Sequence, residues 1–194
     1  MNKRSALKIG VLTGLIAGLL FVSYIFLASL SPSSAARSNA TITIDISELK
    51  LGEIKKYSQS EIAPVMVLRR SMEDIKRLQE LEEYLRDPWS NESEQPEYVK
   101  NQYRSIKPEY FIAYAYEPRL GVGVTYHDNV LPSEGYEEIR WYGGFHENYD
   151  GSLFDKAGRV YKKYGHWNEL NIPIPEHRYE SESKIVVYFL GIKT

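Results

Sequence analysis

Two short turns hold most of the side chains that could do chemistry. Glu117 and Arg119 lie in YEPRLGVG, and Glu147 and Asp150 lie in HENYDGS. Three carboxylates could gather a hard cation such as calcium, and a carboxylate pair could serve acid–base chemistry. Arg119 argues against the cation, because a guanidinium stays protonated, cannot ligate and repels a metal. The plainer reading of all four is solvated loop charge. The histidines, His127, His146, His166 and His177, fall at no helical metal-ligand spacing and read as surface or turn residues. Residues 121–124 (GVGV) read as a turn, since neither a strand–GxGxxG–helix context nor a following acid accompanies them. The chain has no cysteine. Disulfides, thiolate metal sites, cysteine nucleophiles and thiolate-held clusters are therefore excluded.

The elements that must position these turns follow from patterning. Of 24 basic residues, four (Lys3, Arg4, Lys8 and Arg37) precede Thr41, where no acid occurs. Residues 41–194 then carry 20 basic against 26 acidic side chains, a net charge of −6. The whole chain, at −2, offers no electrostatic footprint for nucleic acid, and 13% aromatic content is too high for a disordered chain. Residues 9–30 carry no charge, and at ~1.5 Å per residue such a helix just crosses a hydrocarbon core of ~30 Å. The run exceeds the ~7–15 apolar residues of a usual signal peptide, so a retained anchor is expected despite the small residues that follow. Lys3, Arg4 and Lys8 place its N-terminal end in the cytoplasm and the rest across the membrane, in a bacterium the periplasm.

Residues 1–30 thus read as cytoplasmic stub and transmembrane anchor, residues 31–40 (SPSSAARSNA) as a flexible neck, and residues 41–194 as the head. Within the head, short strands are predicted over 41–46, 63–68, 110–116, 121–126, 160–164 and 185–190. One helix is predicted: Ser71 and Asp74 form a capping box, and Ile75, Leu78, Leu81, Tyr84 and Leu85 share a face until Asp87 and Pro88. The fold class is mostly β, an antiparallel sandwich or barrel with one inserted helix.

Residues 143–173 resemble the second half of a respiratory Rieske iron–sulfur subunit. That family typically reads GGF, one residue, CPCHGS, one residue, FD or YD, two residues, GR, and then NLxVP after a proline-rich loop. Gly143, Gly144, Phe145, Gly151, Ser152, Phe154, Asp155, Gly158, Arg159, Val160, Leu170 and Pro173 match. Upstream, residues 85–88, Gln95, Pro96, Glu97, Tyr98 and residues 104–110 (RSIKPEY) resemble the approach to the first cluster loop. EPRLGV at 117–122 stands in the place of CTHLGC. The anchor, the SPS after it and IDIS at 44–47 resemble the bacterial branch, so the likeness covers nearly the whole chain. Lys3 and Arg4 stand where bacterial members usually carry the arginine pair of their export signal.

The resemblance implies a Rieske-like sandwich head and, in the family, a 2Fe-2S cluster on two Cys and two His, braced by a disulfide. Carried over, the ligand positions are Glu117, Arg119, Glu147 and Asp150, and the disulfide positions are Val122 and Tyr149. None can do the family's chemistry, so no cofactor is expected. Gly165 and Trp167 likewise replace prolines of the covering loop. Arg119 is expected to pair with Asp150 or Glu147, tying two degenerate loops at 117–122 and 147–152 in a group of formal charge −2 that stays partly wet. The implied partners are the cytochrome b and cytochrome c-type subunits of a quinol–cytochrome c oxidoreductase, with a possible dimer through that complex. The expected role there is structural or regulatory. The alternative is a free-standing anchored binding module whose tip presents Tyr114, Tyr116, Trp141, Tyr142, Tyr149, Tyr164 and Trp167.

Overall fold

The computed structural model describes residues 3–30, 40–59, 62–130 and 139–189. In chain order the elements are α1 (Lys3–Leu30), β1 (Ala40–Asp45), β2 (Ile54–Gln59), β3 (Ile62–Arg69), α2 (Met72–Leu78), β4 (Tyr110–Tyr114), β5 (Val124–His127), β6 (Gly144–Glu147), β7 (Leu153–Asp155), β8 (Glu176–Tyr179) and β9 (Lys184–Phe189). α1 and the β-rich head are separate compact units. Within α1, Leu7–Phe26 has mean hydropathy 2.2 and is long and apolar enough to cross a membrane. Its Thr13 hydroxyl donates to the Ile9 carbonyl at 2.9 Å, which satisfies that hydroxyl within the helix. Of the predicted neck, only Ala40 falls among the described residues.

Among the described residues the head has three antiparallel three-stranded sheets, ordered β1-β9-β8, β2-β3-β4 and β5-β6-β7. Its logic is clearest in β3, where Val65, Met66, Val67 and Leu68 are all fully buried. A strand buries consecutive side chains only when both of its faces are covered. Val65 and Val67 join Ile44, Ile112, Ile185 and Val187 in one core, beside β1 and β9. Met66 and Leu68 join Phe111, Ala113, Val124, Phe145 and Phe154 in a second core, under β5, β6 and β7. The sheet that carries both candidate turns is thus packed directly on the central one.

The helix differs from the prediction. The capping box forms, with Ser71 Oγ accepting from Asp74 N–H at 3.1 Å and Asp74 Oδ2 accepting from Ser71 N–H at 2.8 Å. Regular α-helix ends at Leu78, and residues 79–84 continue as a tighter 3-10 turn. The Leu78 carbonyl, which α geometry would give to residue 82, instead accepts from Arg159 Nη2 at 2.6 Å. Leu81 and Leu85 nevertheless reach a third core with Leu153 and Tyr161, against which Tyr84, Trp141, Tyr142 and Tyr164 pack.

The strand predicted over 160–164 is two isolated bridges, Val160 to Phe154 and Tyr161 to Leu85. Its amides go to different partners: Val160 to the Asn171 side chain, Tyr161 to Leu153, and Lys162 to Tyr84. No single neighbour accompanies it, so no ladder forms. Strand β5 begins at Val124, not at 121, because residues 117–122 are held in the first turn. Four strands, β2, β6, β7 and β8, escape the sequence reading. They are short, or polar like IKKYSQ and EHRY, and lack clean alternation. Leu190, the last residue of the strand predicted over 185–190, lies outside the described residues.

Candidate functional site

Residues 117–122 link β4 to β5, and residues 147–152 link β6 to β7. Both loops are built the same way, each around a fully buried glutamate at its first position. Glu117 Oε2 accepts from Arg119 N–H at 2.7 Å, and Oε1 accepts from Leu120 N–H at 2.6 Å and Val122 N–H at 3.3 Å. Glu147 accepts from the N–H groups of Tyr149 and Asp150, the latter at 2.8 Å. Each carboxylate folds back on its own turn and supplies acceptors that no strand provides there. Glu117 N–H donates to Val122, and Glu147 N–H to Ser152, which closes each loop at its base.

Between the loops, Arg119 Nη2 forms an ion pair with Asp150 Oδ2, and both side chains keep about a quarter of their surface in water. Glu147 is not the partner, because its oxygens serve its own amides. Val122 is half-buried, and Tyr149 is 75% exposed.

A third loop, residues 162–170, completes the group. Its Glu169 is buried, with Oε2 at 3.6 Å from Arg119 Nε and accepting from Ser152 Oγ at 3.4 Å. Burial, then the nearby charge of Glu117, push the Glu169 carboxyl up to about 7. Arg86 fastens the same loop by donating to the carbonyls of His166 at 2.7 Å and Glu169 at 3.1 Å. Gly165 permits the close approach: at φ +82°, a Cβ there would meet Ser152 Oγ at 2.0 Å.

Sequence reasoning misses Glu169 altogether. It is one acid among polar neighbours in KKYGHWNEL, without periodicity or motif, and only the packing of the third loop on Ser152 buries it. The one available signal was position, directly before Leu170 and Pro173 of the matched pattern.

The proposed aromatic tip divides. Trp141, Tyr142 and Tyr164 pack against the third core, and Tyr114 against the first, stacked at 5.1 Å on Tyr116. Tyr149 and Trp167, 75% and 79% exposed, point outward with Leu120. The His127 and His146 rings lie 5.9 Å apart, and burial with the nearby His127 lowers the pKa of His146. His177 is buried, with its ring against the Pro175 carbonyl at 2.9 Å. Among the described residues no group of three or more His, Asp or Glu side chains could hold a metal ion.

A 2Fe-2S cluster does not fit this donor set. Two of the four carried-over positions are carboxylates already engaged by five backbone N–H groups, one is a guanidinium, and the last is that guanidinium's partner. Sulfide-bridged iron needs soft or imidazole ligands, and none stands there.

No protein-family model matches the chain. A search of known proteins does find a relative: the ubiquinol-cytochrome c reductase iron-sulfur subunit of Allochromatium vinosum. It is 37% identical over 163 residues, which span 84% of this chain and 76% of the relative.

Proposed function

The chain belongs to the family of Rieske iron–sulfur subunits of ubiquinol-cytochrome c reductase, and on that premise we propose that it is a membrane-anchored member without a cluster, acting structurally or as a regulator. The observation that carries this reading is the state of the ligand positions. Glu117 and Glu147 hold their own turns, and Arg119 bridges to Asp150, so charge does the tying that a cluster and disulfide do in the family. Neither Arg119 nor Asp150 can pass an electron, so redox transfer through the head is not its work.

In this reading α1 is a retained single-pass anchor, residues 31–40 are the neck and residues 41–194 the head. The positive charges of Lys3, Arg4 and Lys8 keep the N-terminus in the cytoplasm of a bacterium, with the head in the periplasm. The partners are the cytochrome b and cytochrome c-type subunits, through which two copies could meet. Purified full-length protein is expected to be colourless and without an electron paramagnetic resonance signal after reduction. A rhombic Rieske-type signal overturns the reading. A second reading, a free-standing anchored binding module, is favoured by Leu120, Tyr149 and Trp167, large apolar side chains exposed on the three loops around Arg119. Affinity purification from native membranes separates the two: recovery with a cytochrome b subunit supports the first, and recovery without it the second.

A further inference from the structure

Each of the three loops around Arg119 turns one large apolar side chain into water: Leu120 is about half exposed, and Tyr149 and Trp167 are mostly exposed. Each loop is also held from beneath by hydrogen bonds, through the carboxylates of Glu117 and Glu147 and through Arg86. The three side chains therefore stand on fixed backbone, and little ordering is left to oppose binding there. The loop charges are sorted in the same direction. Glu117, Glu147 and Glu169 are buried and Asp150 is paired with Arg119, whereas Lys162 and Lys163 of the third loop are exposed. A head of net charge −6 over residues 41–194 thus turns lysine, tryptophan, tyrosine and leucine outward on these loops. Aromatic rings with a polar edge and lysines with apolar stems suit the boundary between lipid headgroups and acyl chains, where both parts of each side chain are satisfied.

The course of the chain selects that occupant. The chain enters the head at Ala40, which pairs with Phe189. The Phe189 ring lies 6.3 Å from Tyr114, which stacks on Tyr116, the residue that closes the base of the first loop by its bridge to Gly123. The entry point and the first loop therefore share one end of β4. From Leu30, the last residue of α1, to Ala40 the chain reaches at most about 36 Å, even fully extended.

We propose that Leu120, Tyr149 and Trp167 form a membrane-docking tip that seats on the lipid surface of the bilayer anchoring the chain, with Lys162 and Lys163 on anionic headgroups. This inference rests on the reading of α1 as a retained single-pass anchor. The tether holds the tip at high local concentration over the lipid, so a contact too weak to bind a free head suffices to seat an anchored one. Docking gives the head a second hold on the membrane and covers the three loops while it lasts.

Tryptophan emission tests this, because Trp89, Trp141 and Trp167 all lie in the head and none lies in α1. Full-length protein is reconstituted in vesicles of phosphatidylcholine and phosphatidylglycerol, part of whose acyl chains carry bromine close to the headgroup. The brominated lipid is expected to quench about a third of the emission, the share of one tryptophan in three. Trp167→Phe should abolish the quenching, and Trp89→Phe should keep it. Lys162→Gln and Lys163→Gln should each lower the ratio of docked to free heads about fivefold on these vesicles and leave it unchanged on phosphatidylcholine alone. Emission that the brominated lipid leaves unquenched in wild type overturns the docking and assigns the exposed tip to a protein surface. Quenching that survives in Trp167→Phe assigns the contact to another face of the head and overturns it too. Flotation of the same vesicles after an alkaline wash separates the two possible failures. Protein that floats with the lipid but is not quenched refutes the docking tip alone, and protein left behind refutes the anchor and the docking with it.

Discussion

Two arginine–aspartate pairs in the head share their chemistry and differ in everything around it. Arg159 and Asp155 are 2% and 0% exposed. Asp155 Oδ1 accepts from the N–H groups of Ala157 and Arg159, both at 2.9 Å, and Oδ2 accepts from Arg159 Nε at 2.8 Å. Arg159 Nη2 goes on to the Leu78 carbonyl. Arg119 and Asp150, by contrast, come from separate loops, keep about a quarter of their surface in water, and have Glu169 as a second, longer contact. A fully buried pair must satisfy nearly every polar atom or cost several kcal/mol, so it is woven into the fold. A partly wet pair can be replaced without that constraint, because water serves whatever the protein leaves open. The scaffold pair therefore specifies the fold, and the tip pair only fastens two loops that the scaffold already brings together.

The largest test of that contrast is Asp155→Ala. Burial lowers the fully buried guanidiniums of Arg70 and Arg104 to about 10 and about 9, and Asp155 is the leading charge opposing that fall. Removing it leaves three buried arginines short of a counter-charge. Urea unfolding of the full-length chain should show a loss of about 3–5 kcal/mol, enough to unfold many domains of this size. Next comes Arg119→Ala, expected to cost about 1 kcal/mol. It should loosen residues 117–122 and 147–152 in hydrogen exchange while the three cores stay protected. Equal losses for the two variants would break the comparison. An unchanged thermal midpoint in Arg119→Ala would leave the tip pair without energetic content.

The same contrast explains what could be read from the sequence. The hairpin of Asp155 and Arg159 lies in FDKAGR, where aspartate, glycine and arginine at close spacing match a known pattern. Local chemistry determines it, so sequence recovers it. β1, β3, β4 and β9 were legible for a similar reason: their apolar runs face cores, and burial leaves a periodic trace. β6 and β7 are 4 and 3 residues long and wholly buried, so they leave no alternation to read. The helix was legible at its cap and not at its end, because Arg159, about 80 residues further on, decides where α geometry stops. At the site, the backward fold of Glu117 and Glu147 is local to each turn, but no spacing rule marks it, and the burial of Glu169 depends on its contacts with the other two loops.

The sharpest discriminator is the same conservative change in both pairs, and at Arg119 it has the smallest effect of all. A lysine carries the charge of arginine on one point and lacks the planar fork. At Arg159 the fork is fully used, since Nε serves Asp155 while Nη2 serves the Leu78 carbonyl. One ammonium cannot hold both positions in a dry site, and Arg159→Lys should cost about 1.5–3 kcal/mol. At Arg119 only Nη2 makes the close contact, and Nε stands 3.6 Å from Glu169. Arg119→Lys can still reach Asp150 in a half-wet setting, so its cost should stay below about 0.5 kcal/mol. The loss should be confined to the third loop: residues 162–170 exchange faster, and residues 147–152 exchange as in wild type. If instead residues 147–152 loosen with them, the fork of Arg119 holds both neighbours at once, and the tip pair resembles the buried one more closely than its exposure suggests.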